Sequence, residues 1–171
     1  MKKSGTGAGE LDKILVLDFG SQYTQLIARR VREQRVYCEI LPCDAEDEKI
    51  RAFAPRGIIL SGGPTGVYAK DAPTCSRLTF EMGVPVLGIC YGLQLLAKIS
   101  GGEVSASAHR EYGRAKLTIE DDSDLFKGFD PAVAAEVWMS HGDRVDSLPD
   151  GFSVLAHSNN SPFAAVADKS R

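Results

Sequence analysis

The stretch Ile14-Leu15-Val16-Leu17-Asp18-Phe19 decides the fold class. It is a short, nearly continuous apolar run, the pattern of a strand covered on both faces. Ser21 follows as a plausible N-cap for a helix on which Tyr23, Leu26, Ile27, Arg30 and Val31 recur at helical spacing. Residues 36–41 read as a second strand. Asp44 is placed to cap a short acidic helix running to Phe53, which Pro55 and Gly57 end. Residues 57–60 form a third strand that runs into Ser61-Gly62-Gly63-Pro64. A helix around 75–82, a strand at 85–89 and a helix at 92–99 complete the series. This alternation predicts an α/β domain of three layers, a mostly parallel central sheet flanked by helices. After Gly101-Gly102 the rhythm changes: 115–120, 133–139, 152–157 and 163–167 read as strands with almost no helical pattern between them. They predict an antiparallel β extension of the same domain.

Length and composition agree with a single domain. The chain has 171 residues, 43% hydrophobic and 25% charged, enough to bury a respectable core. A net charge of −3 gives no electrostatic reason to expect nucleic acid or an anionic membrane as partner. No apolar run approaches the roughly 20 residues that span a bilayer. Residues 1–12 lack the apolar stretch of a signal peptide and read as a flexible lead-in, which points to a cytoplasmic protein. The polar end, Lys169-Ser170-Arg171, reads as a turn. Cys38, Cys43, Cys75 and Cys90 show no CxxC spacing and no clustered histidines, so neither a metal site nor a disulfide framework is expected.

In open α/β sheets, ligands gather at the carboxyl ends of the strands. Two such exits are rich in glycine. Gly88-Ile89-Cys90-Tyr91-Gly92 has the G-x-nucleophile-x-G form at a strand-to-helix junction, where a sharp turn leaves room only for hydrogen at the flanking positions. The turn would lift the Cys90 sulfur to the top of the sheet, beside helix N–H groups that favour thiolate over thiol. The Tyr91 amide would then face a developing oxyanion, and Gly62-Gly63 would offer further backbone amides. A single cysteine at a strand end is more often an inert small hydrophobe. The paired glycines and the second Gly-rich exit favour a catalytic Cys90. Cys38, Cys43 and Cys75 have no such setting and are assigned packing or surface roles.

These residues resemble a known family. The run Leu17-Asp18-Phe19-Gly20-Ser21-Gln22-Tyr23-Thr24-Gln25-Leu26-Ile27-Ala28-Arg29-Arg30-Val31-Arg32-Glu33 is similar to the opening of the GMP synthase family. Ser61-Gly62-Gly63-Pro64, Gly88-Ile89-Cys90-Tyr91-Gly92-Leu93-Gln94 and Trp138-Met139-Ser140-His141-Gly142-Asp143 follow in that family's order. The match covers nearly everything from about Lys13 onward. It implies a class I glutamine amidotransferase domain over residues 13–171, one that hydrolyses L-glutamine to glutamate and ammonia through a Cys thioester. The ammonia would serve a synthetase (ATP-pyrophosphatase) domain that converts XMP to GMP with ATP and Mg²⁺. The resemblance assigns Cys90 as nucleophile and Gly63 and Tyr91 as the oxyanion-hole amides. It assigns Gln94 and a loop of Ser140, His141, Gly142 and Asp143 to the amino-acid end of glutamine, with Asp143 suited to the ammonium. It also implies a homodimer whose contacts lie outside this region.

A cysteine nucleophile needs a base, normally an imidazole oriented by a carboxylate or amide. In the family that pair sits in a His-Pro-Glu motif further along, and no such motif occurs here. The domain is therefore expected to be truncated before that segment and inactive on its own, with the synthetase domain also absent. Of the three histidines, His109 reads as a surface residue, His157 as a residue near a strand end, and His141 as part of the substrate loop. Ser61-Gly62-Gly63-Pro64 lacks the Lys and Ser/Thr of an ATP phosphate loop. Three other readings remain: a glutaminase serving another acceptor, a non-catalytic glutamine-binding or regulatory module, and a cysteine hydrolase or redox sensor on a similar sheet.

Overall fold

The computed structural model describes residues 12–168, with side chains described for all of these except 107–112 and 140–141. The first half is the expected alternation: β1 (Lys13–Asp18), α1 (Thr24–Glu33), β2 (Tyr37–Pro42), α2 (Asp47–Phe53), β3 (Gly57–Leu60), α3 (Leu78–Glu81), β4 (Val86–Gly88) and α4 (Tyr91–Ile99). Its four strands pair in parallel in the order β2-β1-β3-β4. The side-chain period of two along β1 divides its burial between two cores. Leu15 and Leu17 point into a cluster with Ile50 of α2, Leu78 of α3 and Tyr91 and Leu95 of α4. Val16 points the other way, against Ala28 of α1 and Cys38 of β2. All three β1 residues are fully buried, which is why this stretch reads as uninterrupted apolar sequence.

The second half is the antiparallel part. β5 (Glu103–Ile119), β6 (Ala135–Ser147), β7 (Phe152–His157) and β8 (Ala165–Asp168) pair in the order β6-β5-β7-β8. Leu117, Ile119, Phe126, Leu155 and Ala156 form a separate small core there. The predicted α/β class with an antiparallel extension is what the structure shows.

Several local expectations need correction. Ser21 is not the N-cap of α1. Tyr23 holds that position, and Ser21 Oγ instead accepts the Tyr23 N–H at 3.1 Å in the turn before the helix. Asp44 does not cap α2, which starts three residues later with Glu46 at its N-cap. The helix around 75–82 shrinks to the single turn of α3. β5 begins at Glu103 rather than near 115, because its ladder to β6 runs on through a polar, weakly patterned stretch. Backbone pairing there overrides what side chains advertise. Residues 140–143 are not a loop, since they continue β6. A register shift on β5 between Ala106 and Glu111 lies opposite Gly142, so the ladder accommodates them with a bulge. The expectations for residues 1–11 and 169–171 lie outside the described residues. Among the described residues no helix is long and apolar enough to cross a membrane, and no group of three or more His, Cys, Asp or Glu is placed to hold a metal ion.

Candidate active site

Cys90 stands between the last residues of β4 and the first of α4, with φ +51° and ψ −109°. These angles belong to the first central position of a type II′ turn, ordinarily a glycine site. A non-Gly residue held there carries roughly 1–3 kcal/mol of strain and persists only where its surroundings enforce it. Here they do. Ile89 N–H donates to Leu60 O at 3.0 Å, and Gly92 N–H is shared between Ser61 O at 3.1 Å and Ile89 O at 3.0 Å. The flanking glycines are steric necessities: a Cβ on Gly88 would lie 2.5 Å from the Gly92 carbonyl carbon, and one on Gly92 would lie 2.7 Å from Leu60 Cβ. β3, β4 and α4 therefore meet backbone against backbone, and the half-buried Cys90 side chain lines the cavities on both sides of the junction.

The second glycine-rich exit lies against the first. Ser61 is fully buried, its Oγ accepting the Phe19 N–H and donating to Gly62 O, both at 3.0 Å. That fixes the turn through Gly62 and Gly63. A Cβ on Gly62 would lie 3.7 Å from Cys90 Cβ, and one on Gly63 would press to 3.1 Å against the Tyr91 ring. Tyr91 cannot yield, because it is 2% exposed, its ring centroid lies 5.4 Å from that of Phe19, and its hydroxyl donates to Pro73 O at 2.5 Å. Burial pushes the Tyr91 phenol up to about 12. Gly63 and Tyr91 are thus brought to the turn that carries Cys90, and Tyr91, first residue of α4, has an N–H with no partner inside the helix.

Gln94 and Asp143 are also brought in. Gln94 lies one helical turn after Cys90 and is 6% exposed, and its Nε2 donates to the backbone O of Asp143 at 3.0 Å. Cys90, Gln94 and Asp143 line a single cavity of about 430 Å³ between α4 and the antiparallel strands. The Asp143 carboxylate accepts a 2.6 Å hydrogen bond from the Tyr68 hydroxyl.

A family model described as glutamine amidotransferase class-I matches residues 15–171. The chain belongs to that family. As a class-I glutamine amidotransferase it is similar to the glutamine-hydrolysing GMP synthase of Campylobacter lari, 57% identical over 158 residues, 92% of this chain and 30% of that protein. The corresponding protein of Campylobacter fetus is 58% identical over 156 residues, 91% of this chain and 30% of its own length. The chain thus spans about a third of the length of these relatives. Among solved structures, a Thermoplasma acidophilum protein described as one subunit of a GMP synthase superposes with a TM-score of 0.83 at 28% identity, covering 95% of this chain and 81% of that one. A glutamine amidotransferase from Methylobacillus flagellatus, 23% identical with a TM-score of 0.72, shares the fold over 93% of this chain and 66% of its own.

The histidines of this amidotransferase domain divide differently. His157 ends β7, where its Nδ1 lies 2.7 Å from Glu120 Oε1, and it faces a cleft with Arg144, Ser158 and Asn160 rather than the Cys90 cavity. The side chains of His109, Ser140 and His141 fall outside the described residues. Cys38 is buried with its Sγ near Ala28 O, while Cys43 and Cys75 belong to the core beneath Tyr91. Burial raises both the Cys43 and the Cys75 thiols above the ordinary value of 9.0. Sequence reasoning missed Tyr68. Its signal was an aromatic residue in the Gly- and Pro-containing segment after β3, where helical or strand periodicity offers no core role for it.

Proposed function

We propose that this domain is the glutaminase portion of a GMP synthase, with Cys90 as its nucleophile. The observation that carries the reading is the strained turn at Cys90, enforced by backbone contacts and opening on one cavity with Gln94 and Asp143. The identity to glutamine-hydrolysing GMP synthases narrows the family to that branch. In the reaction, Cys90 Sγ attacks the side-chain amide carbon of L-glutamine. The oxyanion is met by the N–H groups of Gly63 and Tyr91. Its collapse breaks the C–N bond, and the nitrogen takes a proton and leaves as ammonia. Water then cleaves the thioester to glutamate and restores the thiol. Gln94, Gly142 and Asp143, with Ser140 and His141, hold the amino-acid end of the substrate. The ammonia is consumed in the remaining portion of the protein, where XMP activated by ATP becomes GMP. ATP and Mg²⁺ belong to that portion: the Ser61 hydroxyl is buried and spent on Phe19 and Gly62, so the Ser61–Pro64 turn has no hydroxyl for a metal ion.

The base that activates Cys90 lies, on this reading, in a segment following Arg171. In its support, β4 is the edge strand of the parallel sheet among the described residues, and Val86, Leu87 and Gly88 line the same mostly apolar cavity as Cys90. Glutamine hydrolysis by the 171-residue chain, beside a version extended through a His-Pro-Glu strand, tests this. The short chain is expected to release no ammonia above background, and the longer one to be active unless Cys90→Ala is introduced. Turnover by the short chain would instead place the base among His109, His141 and His157.

A further inference from the structure

Tyr68 lies 75 residues from Asp143 in sequence, in the segment between β3 and α3, yet its hydroxyl donates to the Asp143 carboxylate, 2.6 Å from Oδ1. The other carboxylate oxygen packs over Gly66, where a Cβ would lie 2.7 Å from Oδ2. The segment carrying these two residues is itself anchored to α4: Lys98 Nζ donates to Val67 O at 2.5 Å, and Val67 is 2% exposed. From the other side Gln94, also on α4, donates to the Asp143 backbone carbonyl. The carboxylate is therefore referenced twice to the helix that Cys90 precedes, once through its backbone and once through its side chain. Gln94 is four residues beyond Cys90, about 6 Å along the helix axis, a span comparable to the side chain of glutamine.

We propose that Tyr68 is a positioning and selectivity residue that aims the Asp143 carboxylate at the α-ammonium of glutamine. This rests on the glutaminase reading given above. A phenol suits the task for an electrostatic reason. Lysine or arginine in its place would hold the carboxylate equally well but neutralise it, whereas a neutral donor fixes one oxygen and leaves the full negative charge for an incoming ammonium. Gly66 has a matching reason to lack a side chain, since a Cβ there would lie 2.7 Å from both Asp143 Oδ2 and Tyr68 Cζ and would crowd the pair apart. The segment after β3 would then distinguish amides that carry an α-amine from those that do not.

The test compares L-glutamine with glutaramate, its analogue without the α-amine, as protectors of Cys90 against iodoacetamide, a readout independent of any base. The ratio of the two affinities is the quantity of interest. In the unsubstituted chain L-glutamine is expected to protect more tightly than glutaramate. Tyr68→Phe should weaken L-glutamine about tenfold, the scale of a lost hydrogen bond to a charged group, and leave glutaramate unchanged. Gly66→Ala should act in the same direction. Equal weakening of both ligands by Tyr68→Phe, or no change in either, overturns the assignment. Asp143→Asn separates the two levels of inference: if it leaves the ratio intact, Asp143 is not the ammonium acceptor and Tyr68 has nothing to aim. Absence of any protection by L-glutamine in the unsubstituted chain removes the glutaminase reading and the assignment together.

Discussion

The four cysteines, none in a disulfide, occupy different environments, and their chemistry should separate accordingly. Cys90 is half-buried on two cavities, while Cys38 and Cys75 are buried and Cys43 sits partly covered against the same core as Cys75. Burial is the largest cause of the raised thiols at Cys43 and Cys75, with the negative charge of Asp44 adding to the effect at Cys43. A raised thiol holds less thiolate at a given pH, and only thiolate alkylates. In native protein, iodoacetamide mapped by mass spectrometry is expected to label Cys90 first at pH 8. Labelling of Cys43 and Cys75 should rise only as the pH passes 9.0, their ordinary value. Equal labelling of all four at pH 8 would contradict these burial assignments. At this scale the sequence was informative about Cys90, because glycines at fixed offsets report a backbone shape. It could not join Tyr68 to Asp143, because a contact made across 75 residues leaves no local pattern.

Among elements, the junction of β4 and α4 is where sequence and structure agree most closely. Gly88 and Gly92 are glycines because carbonyl, amide and Leu60 atoms already fill the space a Cβ would need. Cys90 itself is the residue out of place, at φ +51° where glycine is relaxed. It follows that Cys90→Gly should be more stable than Cys90→Ala by about 1 kcal/mol, since alanine keeps the strain and glycine releases it. Urea denaturation of the two variants measures the difference, and equal midpoints would mean the turn costs nothing. The β6 segment from Ser140 to Asp143 reads as a loop in sequence for a related reason. Ser, His, Gly and Asp carry turn preferences, but the ladder to β5 holds Ser140, His141 and Asp143 in register despite them, with Gly142 opposite the bulge. The long polar run of β5 escapes the sequence reading because half-covered antiparallel strands show weak patterning, whereas β1, covered on both faces, announces itself.

Across the whole molecule the two sheets are buried to unequal depth. β1 lies between β2 and β3, with Leu15, Val16 and Leu17 all fully buried, whereas most described residues of β6 and β8 are only partly covered. Opening free energies should follow that gradient. Hydrogen exchange is expected to be slowest for the amides of β1 and β3 and markedly faster along β6 and β8. Uniform protection across both sheets would show one cooperative unit instead. The class of this architecture was legible because a βαβ rhythm permits few topologies, while the way the antiparallel part closes over α4 depended on long-range contacts such as Gln94 to Asp143.

The two halves of the site are anchored in different materials. The Cys90 turn is located largely by main chain pressed on main chain, where a Cβ on Gly88 would lie 2.5 Å from the Gly92 carbonyl carbon and one on Gly92 closer still to Leu60 O. The carboxylate of Asp143 is located by side chains, Tyr68 and its surroundings, each replaceable one codon at a time. Over evolutionary time such a scaffold can drift in which small molecules it admits while the turn at Cys90 stays fixed. One strand-to-helix turn could in this way be inherited by proteins that differ in what they bind.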